Sequence, residues 1–146
     1  MGLLDDLIAG GGLADKASRL DDNLVRLQWG SAFVIAGISG TAVVAIAPLF
    51  RAVPRGKELA FYRKLLEHNA YMGGMASFAI QGDGWVVLHA ARAVKGIDAH
   101  EFETLISGVG RFADQFDDQL IAEFYMDLPE LTNQADSAAL QMPQTD

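Results

Sequence analysis

The chain has 146 residues, of which 51% are hydrophobic, so it can bury one sizeable core and is expected to form a single domain. Its 19 acidic and 11 basic residues give a formal charge of -8, and a field of that sign argues against general binding to nucleic-acid phosphates. The sequence contains no cysteine, which excludes disulfides, thiolate metal sites and cysteine nucleophiles and fits a cytoplasmic protein. The amino terminus lacks the basic and long apolar regions of a secretory signal.

The first element predicted is a short amphipathic helix. Leu4, Leu7 and Ile8 repeat at helical spacing, and glycines at 10–12 end the helix. These glycines lack the preceding strand and the following Lys-Ser/Thr pair of a phosphate-binding loop, so we interpret them as a helix stop and hinge. Residues 1–22 are therefore predicted to be an amino-terminal helix with a glycine hinge, completed by a polar connection at 15–22.

A run without any charged residue extends over 27–50 and is long enough for a membrane-spanning helix. Glycine, serine and threonine interrupt its centre at 37–41, and Pro48 interrupts its end, which favours two strands joined by a turn. A strand precedes this hairpin, because Val25, Leu27 and Trp29 alternate with polar residues. A membrane span remains the alternative.

One helix is predicted in the middle of the chain. It begins after residues 54–56 and ends at the glycines 73–74. One of its sides carries Leu59, Tyr62, Leu65, Leu66 and Asn69. Five basic residues surround this helix; they are Arg51, Arg55, Lys57, Arg63 and Lys64. We interpret them as a solvated helix face, with an acidic peptide or an acidic subunit face as the alternative.

A second hairpin, with its turn at 82–84, leads to a long amphipathic helix. Asp98 and Glu101 form a capping-box pattern, and Ile97 and Phe102 are spaced as a hydrophobic staple. An apolar stripe follows at a period of 3.6 residues; it consists of Phe102, Leu105, Ile106, Val109, Phe112, Ala113, Phe116, Leu120 and Phe124. Glycines at 108 and 110 flank this stripe, where a neighbouring element can approach closely. The pattern predicts a helix packed on a sheet.

No motif for nucleotide binding, a serine nucleophile or a zinc protease is present. His68, His89 and His100 lie far apart in the sequence and would need converging carboxylates to bind a metal. Asp117 and Asp118 point about 100° apart on a helix, so a charged outer face is favoured over an acid/base pair. We therefore predict no enzymatic activity, no metal site and no cofactor.

Three stretches resemble a known family: LLEHNA, FAIQGDGWVVL and IDAHEFETLISGVGRFADQF. They are similar to the class I type III secretion chaperones of the Tir-chaperone (CesT) type and to the similarly folded YbjN-like proteins. The matching positions are Leu65, Leu66, Asn69, the turn at 82–84, Ile97 and Asp98. The resemblance implies an α+β, type III secretion chaperone-like fold in the order α-β-β-β-α-β-β-α, with one antiparallel sheet packed by helices. This domain would span 23–126, followed by a flexible polar tail at 127–146.

The resemblance further implies a cytoplasmic, non-catalytic homodimer that holds an extended segment of a partner protein, such as a secreted effector. By this analogy the partner-binding residues are Leu4, Leu7, Ile8, Val25, Leu27, Trp29, Phe33 and Ile35. The dimer surface would comprise Leu59, Tyr62, Leu66, Trp85 and Val87. Each of these positions can equally be an ordinary core position. The YbjN-like relationship leaves open a small-molecule-binding or regulatory module.

Overall fold

The computed structural model describes residues 2–132. Its helices are α1 (Leu3–Gly10), α2 (Glu58–Met72) and α3 (Ala99–Leu120). Its strands are β1 (Ala17–Asp21), β2 (Leu24–Trp29), β3 (Ala32–Ser39), β4 (Ala42–Phe50), β5 (Ser77–Ile80) and β6 (Val86–Ala93). A π-helical turn, Ile121–Tyr125, continues α3, and short 3-10 turns cover Ala14–Lys16 and Pro129–Leu131.

The six strands form one antiparallel sheet in the order β1-β2-β3-β4-β6-β5. This confirms the predicted α+β architecture with one antiparallel sheet packed by helices. The five predicted strands correspond to β2 through β6, and β1 is an additional strand within the stretch predicted as a polar connection. The observed order is therefore α-β-β-β-β-α-β-β-α.

Strand β1 forms because a tight turn folds it back onto β2. The Asn23 amide donates a hydrogen bond to the Asp21 carboxylate at 2.7 Å, and Ala17 lies opposite Leu27 in the register. Arg19 pairs with Asp5 of α1, which ties the strand to the first helix. The side chains of β1 lie mostly in solvent, so no apolar alternation marks this strand in the sequence.

The charge-free run folds as the hairpin β3–β4, as predicted. Ser39 lies opposite Ala42, and Gly40 adopts a φ of 59°, the left-handed conformation that glycine adopts at low cost in a turn. No helix within residues 2–132 is long and apolar enough to cross a membrane.

Helix α3 begins at the predicted cap, where the Asp98 carboxylate accepts a hydrogen bond from the Glu101 amide at 2.8 Å. The helix packs across β2, β3, β4 and β6, and α1 packs on α3. Helix α2 joins the same side, since the ring of its His68 packs near Phe78 and stacks on Phe116 of α3. All three helices thus cover one face of the sheet, here called the covered face.

Side chains on the covered face form the core together with the helices. From the strands they include Val25, Leu27, Val34, Ala36, Val43, Ala45, Ala47, Val86 and Leu88. The opposite side, here called the second face, is set by the strand register. One cross-strand row on it runs through Arg26, Ile35, Ile46, His89 and Ser77. The row on one side of it contains Leu24, Gly37, Val44 and Ala91. The row on the other side contains Gln28, Phe33, Pro48, Val87 and Ala79.

The structure includes the first six residues of the predicted tail. Pro129–Leu131 form a 3-10 turn, and Thr132 is buried and bridges Phe50 in an antiparallel pairing. These residues are therefore held against the end of β4. The rest of the predicted tail, 133–146, lies outside the described residues.

Candidate partner-binding surfaces

Five of the eight predicted partner-binding residues lie in the core of the single chain. Leu4, Leu7 and Ile8 of α1 and Val25 and Leu27 of β2 are all buried within the cluster beneath the helices. These five residues therefore occupy ordinary core positions, which was the alternative given for them in the sequence analysis. As packed in the single chain, they are not accessible to a partner.

The remaining three predicted residues fall on different sides of the sheet. Trp29 is half-buried on the covered face, and the Lys16 ammonium lies 3.8 Å from its ring centroid. Phe33 and Ile35 point to the second face, where they are buried but do not belong to the core cluster. The Arg26 guanidinium covers Phe33, with its central carbon 4.1 Å from the ring centroid.

The second face is apolar and almost without charge. Val44 and Ile46 lie at its centre, on β4, and are only half-buried. Among the described residues in its three rows, Arg26 is the one with a permanent charge, and none is a carboxylate. Burial lowers the pKa of His89, so its ring is neutral at physiological pH, and its Nε2 lies 3.4 Å from the Ser77 hydroxyl. The described residues of this face thus carry little charge, in a chain with a formal charge of -8.

The two edges of the sheet differ in their accessibility to another strand. At β5, the Asn69 side chain accepts a hydrogen bond from the Phe78 amide at 2.7 Å and donates one to the Phe78 carbonyl at 3.5 Å. The outward backbone groups at the middle of this edge are therefore occupied. The β1 edge is exposed over four of its five residues, and Leu20 on it is 45% exposed. An added strand can thus pair with β1 more readily than with β5.

The outer side of α2 carries an apolar stripe that the chain does not cover. Leu59, Tyr62 and Leu66 are 83%, 39% and 68% exposed, and with Arg63 and Glu67 they line a shallow groove. These three residues belong to the predicted dimer surface.

The other two predicted dimer residues lie elsewhere. Val87 is buried on the second face, opposite Pro48. Trp85 is half-buried, with the Arg51 guanidinium 5.9 Å from its ring centroid. Of the predicted dimer residues, the three on the α2 stripe are the exposed ones, so the dimer proposal below rests on this stripe.

The basic residues around α2 are largely neutralised within the chain. Arg55 pairs with Glu130, Arg63 with Glu67 and Lys64 with Glu123. The Lys57 ammonium donates to the carbonyl of Glu123. This pairing agrees with the solvated-face interpretation and disfavours a free site for an acidic peptide.

Asp117 differs from its sequence interpretation as part of a charged outer face. It is only 8% exposed, and the Ser31 hydroxyl lies within hydrogen-bond distance of its carboxylate and that of Asp114. Burial, followed by the neighbouring charge of Asp118, raises the pKa of Asp117 to about 6. This burial could not be predicted from the local sequence, because Ser31 in the β2–β3 turn, which contacts Asp117, comes from a distant part of the chain. In the described part of the chain, no three His, Asp or Glu residues converge as a metal site.

A model of the Tir chaperone protein (CesT) family matches residues 3–115. The chain belongs to the CesT family. No curated protein matches the chain significantly.

Solved structures share the fold of this CesT-family chain. A chain of the heterodimeric ExoU-SpcU complex from the type III secretion system of Pseudomonas aeruginosa is 18% identical, with a TM-score of 0.60 over 80% of this chain and 96% of that one. A chain of the ExsC-ExsE complex is 16% identical, with a TM-score of 0.58 over 82% and 97%. YbjN from E. coli, described as a putative transcription regulator, is 14% identical, with a TM-score of 0.56 over 90% and 96%. These likenesses confirm the fold.

The residues that carried the family resemblance have structural roles in this CesT-family chain. Leu65 is buried in the core, Asn69 occupies the β5 edge, and Asp98 caps α3. Leu66 is the exception, because it points outward on the α2 stripe.

Proposed function

We propose that this protein is a non-catalytic, cytoplasmic chaperone or adaptor that binds an extended segment of a partner protein, with a secreted effector as the partner class that the family suggests. The observation that carries the proposal is the exposed outer edge of β1, which within residues 2–132 pairs with β2 alone, in a member of the CesT family. The solved structures that share this fold include two protein complexes, ExoU-SpcU and ExsC-ExsE, which supports a protein as the ligand.

The proposed mode of binding is the addition of a partner strand to β1. An edge strand presents a row of backbone N–H and C=O groups, which supply affinity for any extended chain, while alternate side chains supply selectivity. Leu20 offers an apolar contact beside this edge. The occupied β5 edge directs the added strand to β1, since Asn69 already fills the backbone groups of Phe78.

We further propose that two copies pair through the α2 stripe. In an antiparallel arrangement about a two-fold axis near the middle of α2, Tyr62 of one copy would face Leu66 of the other. Arg63 would then face Glu67 across the axis, so the rim is complementary in charge to itself. The groove beside this stripe, about 810 Å³ in volume, is the space that the second helix would fill.

Partner binding is tested by purifying the protein with its bound polypeptide from the native host, identifying that polypeptide, and measuring binding of its purified fragment. We expect backbone amides at 17–21 to exchange hydrogen more slowly in the complex. Leu20→Lys should weaken binding about tenfold, equivalent to about 1.4 kcal/mol. Met126→Lys is the matched control, because Met126 is 69% exposed and lies away from β1. Unchanged exchange at β1 on binding would exclude this mode.

The dimer is tested by sedimentation equilibrium. Leu66→Glu places a charge in the centre of the α2 stripe and should give a monomer. Tyr71→Glu is the control, since Tyr71 is 70% exposed on the same helix but outside the stripe. A wild-type protein that is monomeric throughout, or an equal effect of both substitutions, would contradict the α2 dimer.

The alternative, a small-molecule-binding or regulatory module, is favoured by a second cleft. It lies between α2 and α3, has a volume of about 330 Å³, and is lined by Lys64, Glu67, His68, Tyr71, Gln115 and Phe116. A metabolite screen by thermal shift should find a ligand that stabilises the wild type and fails to stabilise Tyr71→Ala. A screen with no shift would leave the chaperone proposal alone.

A further inference from the structure

The cleft between α2 and α3 contains an aromatic corner. The His68 ring stacks on Phe116 with the ring centroids 4.1 Å apart, and Tyr71 meets Phe116 edge-on at an interplanar angle of 79°. All three residues line the cleft, and Tyr71 is 70% exposed, so much of its surface is open to a ligand. A ring that enters this corner can lie flat against one wall and meet the other edge-on, the two arrangements that aromatic pairs prefer.

The rim of the cleft carries one charge of each sign. Lys64 and Glu67 line the cleft and are three residues apart on α2, which places their Cβ atoms about 5–6 Å apart on one side of the helix. Their side chains are 34% and 54% exposed. Burial, followed by the charge of Lys64, lowers the pKa of His68, so its ring is neutral at physiological pH and adds an aromatic surface instead of a third charge.

Both rim charges remain available to a ligand. The Lys64 ammonium lies 3.8 Å from the Glu123 carboxylate, which is too far for a hydrogen bond. Glu67 pairs with Arg63 at 3.3 Å, with both side chains largely in solvent. Exposed ion pairs of this kind contribute little to stability, so a ligand can interact with these charges at low cost.

The charges and the size of the cleft select one class of ligand. A simple anion would face the carboxylates of Glu67 and Glu123, and a simple cation would face Lys64. A zwitterion offers a partner to both charges on the rim. The volume, about 330 Å³, lies at the low end of the range of roughly 300–1,000 Å³ for ligand cavities, which suits a single amino acid better than a nucleotide cofactor.

We propose that this cleft binds a free aromatic amino acid, with the ligand ring in the corner between Tyr71 and His68. Its carboxylate lies at Lys64 and its ammonium group at Glu67. The inference rests on the small-molecule alternative given under the proposed function, whose ligand it names. It requires neither the β1 edge nor the α2 stripe.

The test measures binding of phenylalanine to the full chain by calorimetry and thermal shift, beside three compounds that each lack one feature. Phenethylamine lacks the carboxylate, 3-phenylpropionate lacks the ammonium group, and cyclohexylalanine lacks the aromatic ring. We expect each of them to bind at least about tenfold more weakly than phenylalanine. Equal binding of phenylalanine and either singly charged compound would overturn the zwitterion site, and so would the absence of phenylalanine binding.

Two variants locate the site. Tyr71→Ala removes one aromatic wall and Lys64→Gln removes the positive charge, and each should weaken phenylalanine binding about tenfold. Lys95→Gln is the control, because Lys95 is exposed in the loop between β6 and α3, outside the cleft. The unliganded melting temperature shows that each variant is folded. Unchanged binding in Tyr71→Ala, or an equal loss in Lys95→Gln, would place the ligand elsewhere and overturn the proposal.

The failure of this inference is distinguishable from the failure of the proposed function. If a different metabolite stabilised the wild type but not Tyr71→Ala while phenylalanine did not bind, the ligand named here would be wrong and the small-molecule alternative would stand. Partner binding at β1 is measured by hydrogen exchange at 17–21 and does not depend on this result.

Discussion

Gly110 of α3 lies directly against the indole of Trp29 in β2. A Cβ added at Gly110 would come within 2.5 Å of the ring, closer than any real contact. The absence of a side chain therefore allows α3 to approach the sheet at this point. Gly108, one half-turn earlier, has no such constraint, since its nearest neighbour would be the terminal methyl of Met75 at 3.9 Å.

Gly110→Ala should destabilise the fold by about 1–3 kcal/mol, because the added methyl group overpacks the contact with Trp29. Gly108→Ala should instead stabilise it by about 0.5–1 kcal/mol, because alanine restricts the unfolded chain and favours the helix. Urea unfolding of the two variants provides the measurement. Equal effects would show that helix propensity alone determines the role of Gly110.

The same contact illustrates what the sequence predicted and why. Glycines at 108 and 110 both flank the apolar stripe, so the sequence indicated a close approach without deciding which glycine makes it. The cap, the stripe and the hairpins are local patterns, and the structure confirms them. Strand β1 was missed because its side chains lie in solvent and it depends on a turn at 21–23 and on Arg19 meeting Asp5 of α1.

The candidate surfaces were harder to predict than the fold. Apolar side chains in strands look alike whether they face the helices or the second face, and only the register separates Leu27 from Ile35. The exposure of Leu66 and the burial of Leu65 likewise depend on how α2 is rotated against the sheet. Sequence spacing indicates which residues share a side, and tertiary packing decides which side is free.

Asp98→Ala should lower the free energy of unfolding by about 1 kcal/mol, because the Glu101 amide loses its acceptor at the start of α3. Asp98→Asn keeps an acceptor at the cap and should cost less than half as much. Glu101→Gln is the second control, since it leaves the cap acceptor in place. Thermal unfolding at neutral pH compares the three variants, and an Asp98→Asn loss equal to that of Asp98→Ala would contradict the cap.

Asn69→Leu should reduce stability by about 1–3 kcal/mol, because the Phe78 amide and carbonyl lose their partner at a partly buried edge. It should also expose the β5 edge to pairing with other chains, measured as faster aggregation on mild heating. Gln115→Leu adds the same apolar group at an exposed position of α3 and controls for hydrophobicity. If both variants aggregate equally, Asn69 does not protect the edge.

Asp117 should make the stability of the protein depend on pH between about 4 and 7. Its pKa in the folded state, about 6, lies above the ordinary value of 3.8, because burial and the charge of Asp118 disfavour the carboxylate. The protonated Asp117 carboxyl contributes its full stabilisation of the folded state below pH 3.8. This contribution is lost as the pH rises through about 6. Asp117→Asn should match the wild type near pH 4 and exceed it near pH 7 by on the order of 2 kcal/mol. The measurement is urea unfolding of each protein across this pH range. Asp15→Asn is the exposed control and should follow the wild type. If the free energy of unfolding varied with pH in the same way in all three proteins, the burial of Asp117 would not affect its titration.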